Sequence, residues 1–267
     1  MNSNFLHRVK IMVAFSKSNS VRTPYAQPTG GASSGVHEPV DREIISVLGA
    51  NCQLGHRIIE VSLRCGYQVQ ALTQSKLQHP ADVDLRVLRS DGFLARDVQN
   101  VVRGSSCVIN LCNVGNFVGS HDQLTSASIT KIALAEMQRT RKTRYLLITH
   151  QSVSVPGDHR LGLHGLASRY LWPMMHRSRW RDMQDEVNAL MQTQLAWTAV
   201  RCPQIKDVFG FGSISTDRHC PMGRFVALDR LARYLVHLKE SNVYDQQAIF
   251  VASQSTRSSL ASCTPKN

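Results

Sequence analysis

The chain has 267 residues, of which 42% are hydrophobic, with 31 Lys and Arg against 19 Asp and Glu. This length and apolar content suffice for one large hydrophobic core, and no run approaches the ~20 apolar residues of a membrane span, so we expect a soluble protein. The net charge of +12 is spread along the chain among acids, and we therefore expect no nucleic-acid partner.

The first 41 residues are expected to precede the folded domain as a basic leader. Residues 1 to 37 contain no acid but many serines and an amphipathic opening, which is typical of a mitochondrial transit peptide and equally of a disordered basic tail. Seven cysteines without a C-x-x-C pair fit a reducing compartment. The expected location is therefore the cytoplasm or the mitochondrial matrix.

From residue 43 the chain alternates strand and helix, which predicts a parallel sheet with helices on both faces. The predicted strands are 43 to 48, 67 to 72, 86 to 89, 106 to 111, 144 to 149, 197 to 201 and 247 to 251. The predicted helices are 53 to 65, which Gly66 ends, 94 to 103, 124 to 139, 179 to 193 and 226 to 239. The expected fold class is α/β, a Rossmann-like doubly wound parallel sheet in a single domain. This domain is expected to span residues 42 to 252, with 253 to 267 as a disordered tail.

The first strand leads through a turn bounded by Gly49 and Gly55 directly into a helix. Because this geometry lays a dinucleotide pyrophosphate on a helix N-terminus, the turn predicts nucleotide binding. Its central position, where a third glycine would let the backbone approach the phosphates, holds Cys52. We expect Cys52 to weaken phosphate binding, and the helix N-terminus to lower the pKa of its thiol, as in a redox sensor. The alternative is a small substitution in a relaxed turn.

The turn after the second strand indicates which dinucleotide binds. An acid about 20 residues beyond the first glycine would bind the ribose of NAD, but residues 68 to 81 contain no acid. NADP is therefore favoured over NAD. Lys76 would supply a point charge for the 2′-phosphate, or it is a solvated turn lysine.

Several segments together resemble a known family, the atypical short-chain dehydrogenase/reductases. The most similar branch is the NAD(P)H-binding, NmrA-like one that includes biliverdin reductase B and flavin reductases. The resemblance rests on the first turn, Ser90-Asp91, Val108-Ile109-Asn110, Asp185-Glu186 and the block from Leu195 to Pro203, and it covers about residues 43 to 251.

This resemblance implies that NADPH or NADH lies over the carboxyl edge of the sheet. Gln74 stands where the family usually has an arginine. The implied cofactor-binding residues are Gly49, Ala50, Asn51, Cys52, Gln53, Leu54, Gly55, Gln74, Lys76, Asp91, Cys112 and Asn113.

A proton donor is the next requirement of a reductase. No tyrosine has a lysine four residues on, which excludes the Tyr-x-x-x-Lys mechanism of ordinary short-chain dehydrogenases. The resemblance implies a donor just after the fifth strand, where His150 is the first candidate and Ser152 the second. The rate would then fall as pH rises through the imidazole pKa, near ~6.5 unless the site shifts it. The alternative for His150 is a loop histidine bonded to backbone.

The basic segment 153 to 181 is expected over the carboxyl end of the fifth strand, where an anionic or planar small-molecule acceptor would enter. The alternative is that half of it packs as a helix with its arginines in solvent. Glu186, on the next helix, is expected to anchor the structure through an ion pair or a helix cap. The eleven histidines show no ligand spacing, so no metal site is predicted.

Two functions stay open at this point. The first is an NADPH-dependent reductase of a flavin, quinone or similar conjugated acceptor. The second is a non-catalytic NAD(P)-binding redox sensor, regulator or assembly factor that uses the same site. Cys52 and the missing Tyr-x-x-x-Lys pair favour the second, whereas the strand-turn-helix and the acid-free second turn favour the first.

Overall fold

The computed structural model describes residues 42–77, 82–114, 124–140, 144–158, 173–208 and 212–254. The expected leader, the basic residues 159–172 and the tail after residue 254 lie outside this part of the chain. The last strand of the sheet extends to Ser253, the first residue of the expected tail.

The described residues form ten strands and five helices. Strands β1 to β10 span Ile44–Leu48, Gln68–Thr73, Leu85–Arg89, Cys107–Asn110, Arg144–His150, Ala196–Cys202, Gln204–Lys206, Ile214–Asp217, Phe225–Ala227 and Gln247–Ser253. Helices α1 to α5 span Gln53–Arg64, Ala95–Val102, Ser126–Thr140, Arg177–Met191 and Leu228–Leu238.

Eight strands form one sheet in the order β3-β2-β1-β4-β5-β6-β10-β8. The first seven of these run parallel, and β8 pairs with β10 in the antiparallel direction. The order reverses beside β1, between β2 and β4. In open α/β sheets a ligand binds at such a switch point, beyond the carboxyl ends of the strands.

Alternating side chains of the strands bury two separate apolar layers. Ile45 and Val47 of β1 pack with α1 and α5 on one face, whereas Leu48 packs with α2, α3 and α4 on the other. Helices cover both faces of the central strands, as a parallel sheet requires, whereas β3 at one edge is largely exposed. The polar loops that follow the parallel strands therefore lie together at the carboxyl edge of the sheet.

The fold class is confirmed, including the seven parallel strands and the five helices, whose ends fall within two residues of expectation. Three short strands were not predicted. They are β8 at the edge of the sheet and the separate parallel pair β7 and β9. No helix in the described ranges is both long enough and apolar enough to cross a membrane.

Candidate functional site

The turn after β1 has a backbone that requires glycine at its first position. Gly49 has a φ of +74°, a conformation that side chains with a Cβ rarely adopt. A Cβ there would also lie 3.0 Å from the backbone nitrogen of Cys112. The N–H groups of Gly49 and Ala50 both donate to the carbonyl of Leu72 at 3.0 Å. The turn is thus fixed against the ends of β2 and β4.

The second glycine of the turn lets α1 pack directly on it. A Cβ on Gly55 would lie 2.5 Å from the carbonyl oxygen of Ala50, closer than any real contact. Leu54 is buried in the core and Gln53 is exposed. Leu54 can therefore offer a ligand only its backbone N–H, one of the groups that a helix N-terminus leaves without an intrahelical partner.

Cys52 is the N-cap of α1. Its φ of −114° and ψ of 162° are extended, so the backbone does not require a glycine here. Its Sγ accepts the N–H of Gly55 at 3.4 Å. Burial raises the pKa of the thiol, and the N–H groups of Gly55 and Leu54, which lower it, do not offset the burial. The expectation of a lowered thiol pKa is therefore wrong.

An arginine that was not among the predicted site residues lies beside the second turn, at the end of β3. Gln74 is half-buried, and Lys76 is exposed, as expected for either role. Arg89, the last residue of β3, lies directly opposite Thr73, the last residue of β2. Its side chain is 64% exposed and 3.6 Å from the carboxylate of Asp91. Only the register of the two strands reveals this arginine, because Arg89 follows Thr73 by 16 residues.

The loop after β4 presents backbone rather than reactive side chains. Cys112 is 3% exposed, and burial raises its pKa well above the usual value. Its N–H donates to Oδ1 of Asn110 at 2.9 Å. The amide nitrogen of Asn113 donates to Oγ of Ser126 at 2.9 Å and to Oε2 of Glu186.

Glu186 is the acceptor at the centre of this cluster. It is fully buried, and its Oε1 accepts from Ser126, Thr130 and Asn110 at 2.5, 2.9 and 3.1 Å. All of these donors are neutral. The expected ion pair or helix cap is therefore wrong: Glu186 anchors the structure through hydrogen bonds to uncharged groups.

His150 and Ser152 form a pair at the end of β5. The Nδ1 of His150 is 2.8 Å from Oγ of Ser152 and accepts the backbone N–H of Ser152 at 3.2 Å. Because Nδ1 accepts this N–H, we assign the ring proton to Nε2. Burial, and then the charges of Arg179 and His176, lower the pKa of His150 to about 4. The imidazole is therefore neutral at pH 7.

A cavity of about 440 Å³ opens beside this pair, lined by Pro173, Met174, Arg177, Trp180 and Arg181. The indole N–H of Trp180 donates to the carbonyl of Ser152 at 3.3 Å. Trp180 thus connects the cavity to the loop after β5, while Met174, Arg177 and Arg181 line the same cavity. Arg179 donates to the carbonyl of Asn113 and so joins α4 to the loop after β4.

Comparisons with known proteins agree with this geometry. A family described as NAD(P)H-binding matches residues 49–241. No curated protein sequence matches the chain. A short-chain dehydrogenase/reductase from Veillonella parvula, solved in complex with NADP, is 13% identical with a TM-score of 0.60, over 79% of this chain and 94% of that one.

Two further solved structures resemble the chain. The anaerobilin reductase ChuY from Escherichia coli O157:H7 is 15% identical with a TM-score of 0.61, over 81% of this chain and 100% of its own. A Streptococcus pneumoniae protein assigned as an NADH-flavin reductase is 16% identical with a TM-score of 0.58, over 79% and 100%. At these identities the likeness establishes the shared fold.

Proposed function

The chain belongs to the NAD(P)H-binding family, and on this premise we propose that it is an atypical short-chain dehydrogenase/reductase of the NmrA-like branch. We propose that its activity is the NADPH-dependent reduction of a flavin, quinone or similar conjugated acceptor. The observation that carries the proposal is the His150–Ser152 pair at the carboxyl end of β5, whose Ser152 carbonyl accepts from Trp180 in the wall of an arginine-lined cavity. The reductases among its structural neighbours support the same activity.

The first turn has the tight backbone and close helix packing of a dinucleotide-binding turn, because a Cβ on Gly49 or Gly55 would clash with the backbone of Cys112 or Ala50. The backbone of residues 49–55 would hold the pyrophosphate on the N-terminus of α1. Lys76 and Arg89 would meet the 2′-phosphate, which favours NADPH over NADH. When bound, NADPH supplies a hydride to the acceptor.

His150 acts in this proposal as a neutral hydrogen-bond donor. Its Nδ1 accepts the N–H of Ser152, and the proposal assigns the interaction with the acceptor to its Nε2–H. A neutral imidazole can polarise a carbonyl or ring nitrogen by donating a hydrogen bond, while it keeps its own proton. His150 would thus stabilise the negative charge that develops on the acceptor, and a proton from water would complete the reduction.

The cavity wall favours an acceptor that is planar and anionic. Trp180 and Met174 offer apolar contact, and Arg177 and Arg181 offer positive charge at the same cavity. FMN and riboflavin test this preference, because they share the isoalloxazine ring and differ in one phosphate. We expect a lower KM for FMN, and we expect Arg181→Ala to reduce the difference between the two flavins.

Steady-state oxidation of NADPH with FMN, riboflavin and a soluble quinone is the direct test of the reductase. Sustained turnover that requires both substrates is the expected result. Arg230→Ala, which removes an exposed arginine on α5, serves as the control for Arg181→Ala. Binding of NADPH without turnover of any acceptor would reject the reductase.

A second candidate function is a non-catalytic NAD(P)-binding regulator or assembly factor. It is favoured by Cys52, which already satisfies the N–H of Gly55 that a phosphate would use. Calorimetric titration with NADPH, NADH and NADP separates the alternatives. Tight binding combined with the absence of turnover would favour the regulator, and no binding at millimolar cofactor would contradict both functions.

A further inference from the structure

The acceptor atoms of Glu186 hold together three parts of the chain that meet below the carboxyl edge. Asn110 ends β4, Asn113 lies in the loop that follows, and Ser126 and Thr130 lie in the first turns of α3. Each donates a hydrogen bond to the carboxylate. An isolated buried carboxylate would be costly, and four donors offset part of that cost, while burial still raises the pKa of Glu186 to about 7.

The same network sets the conformation of residues 111–114. Oδ1 of Asn110 accepts the N–H of Cys112 at 2.9 Å, while Glu186 and Ser126 accept from the amide of Asn113. Both asparagines therefore have an orientation fixed by their partners. The loop in turn lies against the first turn, since the Cβ position of Gly49 is 3.0 Å from the backbone nitrogen of Cys112.

We propose that Glu186 is a positioning residue of the cofactor site: by accepting the amide hydrogen bond of Asn113, it holds the loop after β4 against the Gly49 turn. This inference rests on the proposed function for the identity of the ligand. It adds a role for a residue that is buried and does not touch the cofactor.

Glu186→Gln tests the role with almost no change in volume. Oε1 accepts from three donors and Oε2 from Asn113 alone, so the glutamine oxygen should take the Oε1 position. Its NH₂ would then face the NH₂ of Asn113, and two donors cannot bond to each other. At pH 8, where Glu186 is mostly ionised, we expect the Asn113 amide to turn away in the variant, and the Kd for NADPH to rise about tenfold.

Glu136→Gln is the matched control. Glu136 is also a buried glutamate, but it lies in the second half of α3 and pairs with Arg103 and Arg139. The same substitution there should lower stability without changing the Kd for NADPH. Equal losses of affinity in both variants would mean that any weakening of α3 disturbs the site, which contradicts the proposal.

A double-mutant cycle asks whether Glu186 acts through Asn113. Asn113→Ala should raise the Kd by itself, and adding Glu186→Gln should then have little further effect, because the partner is gone. Additive effects would overturn the proposal.

Amide hydrogen exchange provides a measurement that needs no cofactor. In Glu186→Gln the N–H groups of residues 111–114 should exchange faster than in wild type, and those of β1 should not change. If wild-type protein fails to bind NADPH, the proposed function fails, and exchange alone then decides the role of Glu186. Unchanged exchange in this loop would reject that role in either case.

Discussion

His150 is held in one tautomer by its neighbour two residues on. The hydroxyl and the backbone N–H of Ser152 both lie at Nδ1, and the positive charges nearby oppose a second proton. The side chain is thus prepared to donate from Nε2 and to remain uncharged while it does so. This differs from the charged acid that an ordinary histidine would provide near its pKa of ~6.5.

Turnover should therefore not change with pH across the neutral range, because His150 stays uncharged there. With a folded pKa of about 4, protonation begins only well below pH 6, so turnover should stay level between about pH 6 and 8. A fall in kcat centred near pH 6.5 that disappears in a His150 variant would show that the imidazolium is the donor after all.

Two amide variants probe which ring nitrogen matters. In His150→Gln the amide NH₂ reaches the place of Nε2, whereas in His150→Asn it reaches only the place of Nδ1. We expect kcat to fall about 10²-fold in the Asn variant and less in the Gln variant, with little change in the Kd for NADPH. Full turnover in both variants would remove His150 from the reaction.

Cys52 competes with a phosphate for the first turn of α1. Cys52→Gly removes the Cβ and releases the N–H of Gly55, so binding of NADPH should tighten by ~1 kcal/mol, as measured by calorimetry. Cys52→Ser is the control, because a serine Oγ caps the same N–H. If NADPH binds more tightly to the Ser variant, or no more tightly to the Gly variant than to wild type, the turn accommodates the cysteine side chain together with the phosphate.

At the scale of elements, the proposed preference for NADPH over NADH depends on the paired ends of β2 and β3. Lys76 follows β2, and Arg89 is brought beside Thr73 by the parallel register. Two cations near one ribose would favour a 2′-phosphate, and the guanidinium can bind it in a bidentate manner that lysine cannot. The partial pairing of Arg89 with Asp91 would be exchanged for the phosphate.

Arg89→Ala and Lys76→Ala should each raise the Kd for NADPH several-fold and leave that for NADH nearly unchanged. We expect the larger effect for Arg89. Arg86→Ala, an exposed arginine near the other end of β3 opposite Gln70, is the control and should affect neither cofactor. Equal losses for both dinucleotides would show that these residues support the strands rather than the phosphate.

The elements that sequence patterns could predict are those with strong local signals. Most of the seven parallel strands are apolar runs, β2 and β3 intersperse apolar with polar residues, and a glycine at position 66 marks the end of α1, where φ is +83°. By contrast, β7 and β9 have three residues each, too few to display a period of two. The polar β8 is a strand only because β10 pairs with it.

The candidate site divides in the same way. Gly49, Gly55 and His150 are visible in the order of elements along the chain. The thiol pKa of Cys52, the tautomer of His150 and the position of Arg89 depend on burial and on contacts made after folding. Local sequence carries no information on such contacts, so these properties were mispredicted or missed.

At the scale of the whole molecule, Glu186 and His150 should affect stability in opposite directions as pH changes. Burial raises the pKa of Glu186 from 4.5 to about 7, so its contribution is most favourable below pH 4.5 and is lost as pH rises to 7. Burial lowers the pKa of His150 from 6.5 to about 4. Its contribution is complete above pH 6.5 and is lost as pH falls toward 4.

Denaturant unfolding between pH 4 and 8 checks both signs. Relative to wild type, the free energy of unfolding of Glu186→Gln should increase as pH rises from 4.5 to 7. That of His150→Gln should increase, relative to wild type, as pH falls from 6.5 to 4. Parallel curves for wild type and either variant would mean that the group does not titrate differently on folding.

Arg201 of β6 connects the loop after β5 to β10 and to Arg218, the residue that follows β8. Its fully buried guanidinium donates to Asp158, to the carbonyls of Val153 and Ala248, and to that of Arg218, and it lies 3.7 Å from the centre of the Phe250 ring. Detaching this loop would leave the buried guanidinium without its carboxylate partner, Asp158.

The segment that follows His150 and Ser152 should consequently lack low-energy local openings. In a native-state exchange experiment, the N–H of Val153, which bonds to His150, should share the opening free energy and denaturant dependence of β10. In a reductase of this structure, the acceptor would enter through motion at the cavity beside α4. The loop after β5 would open only when the whole sheet unfolds.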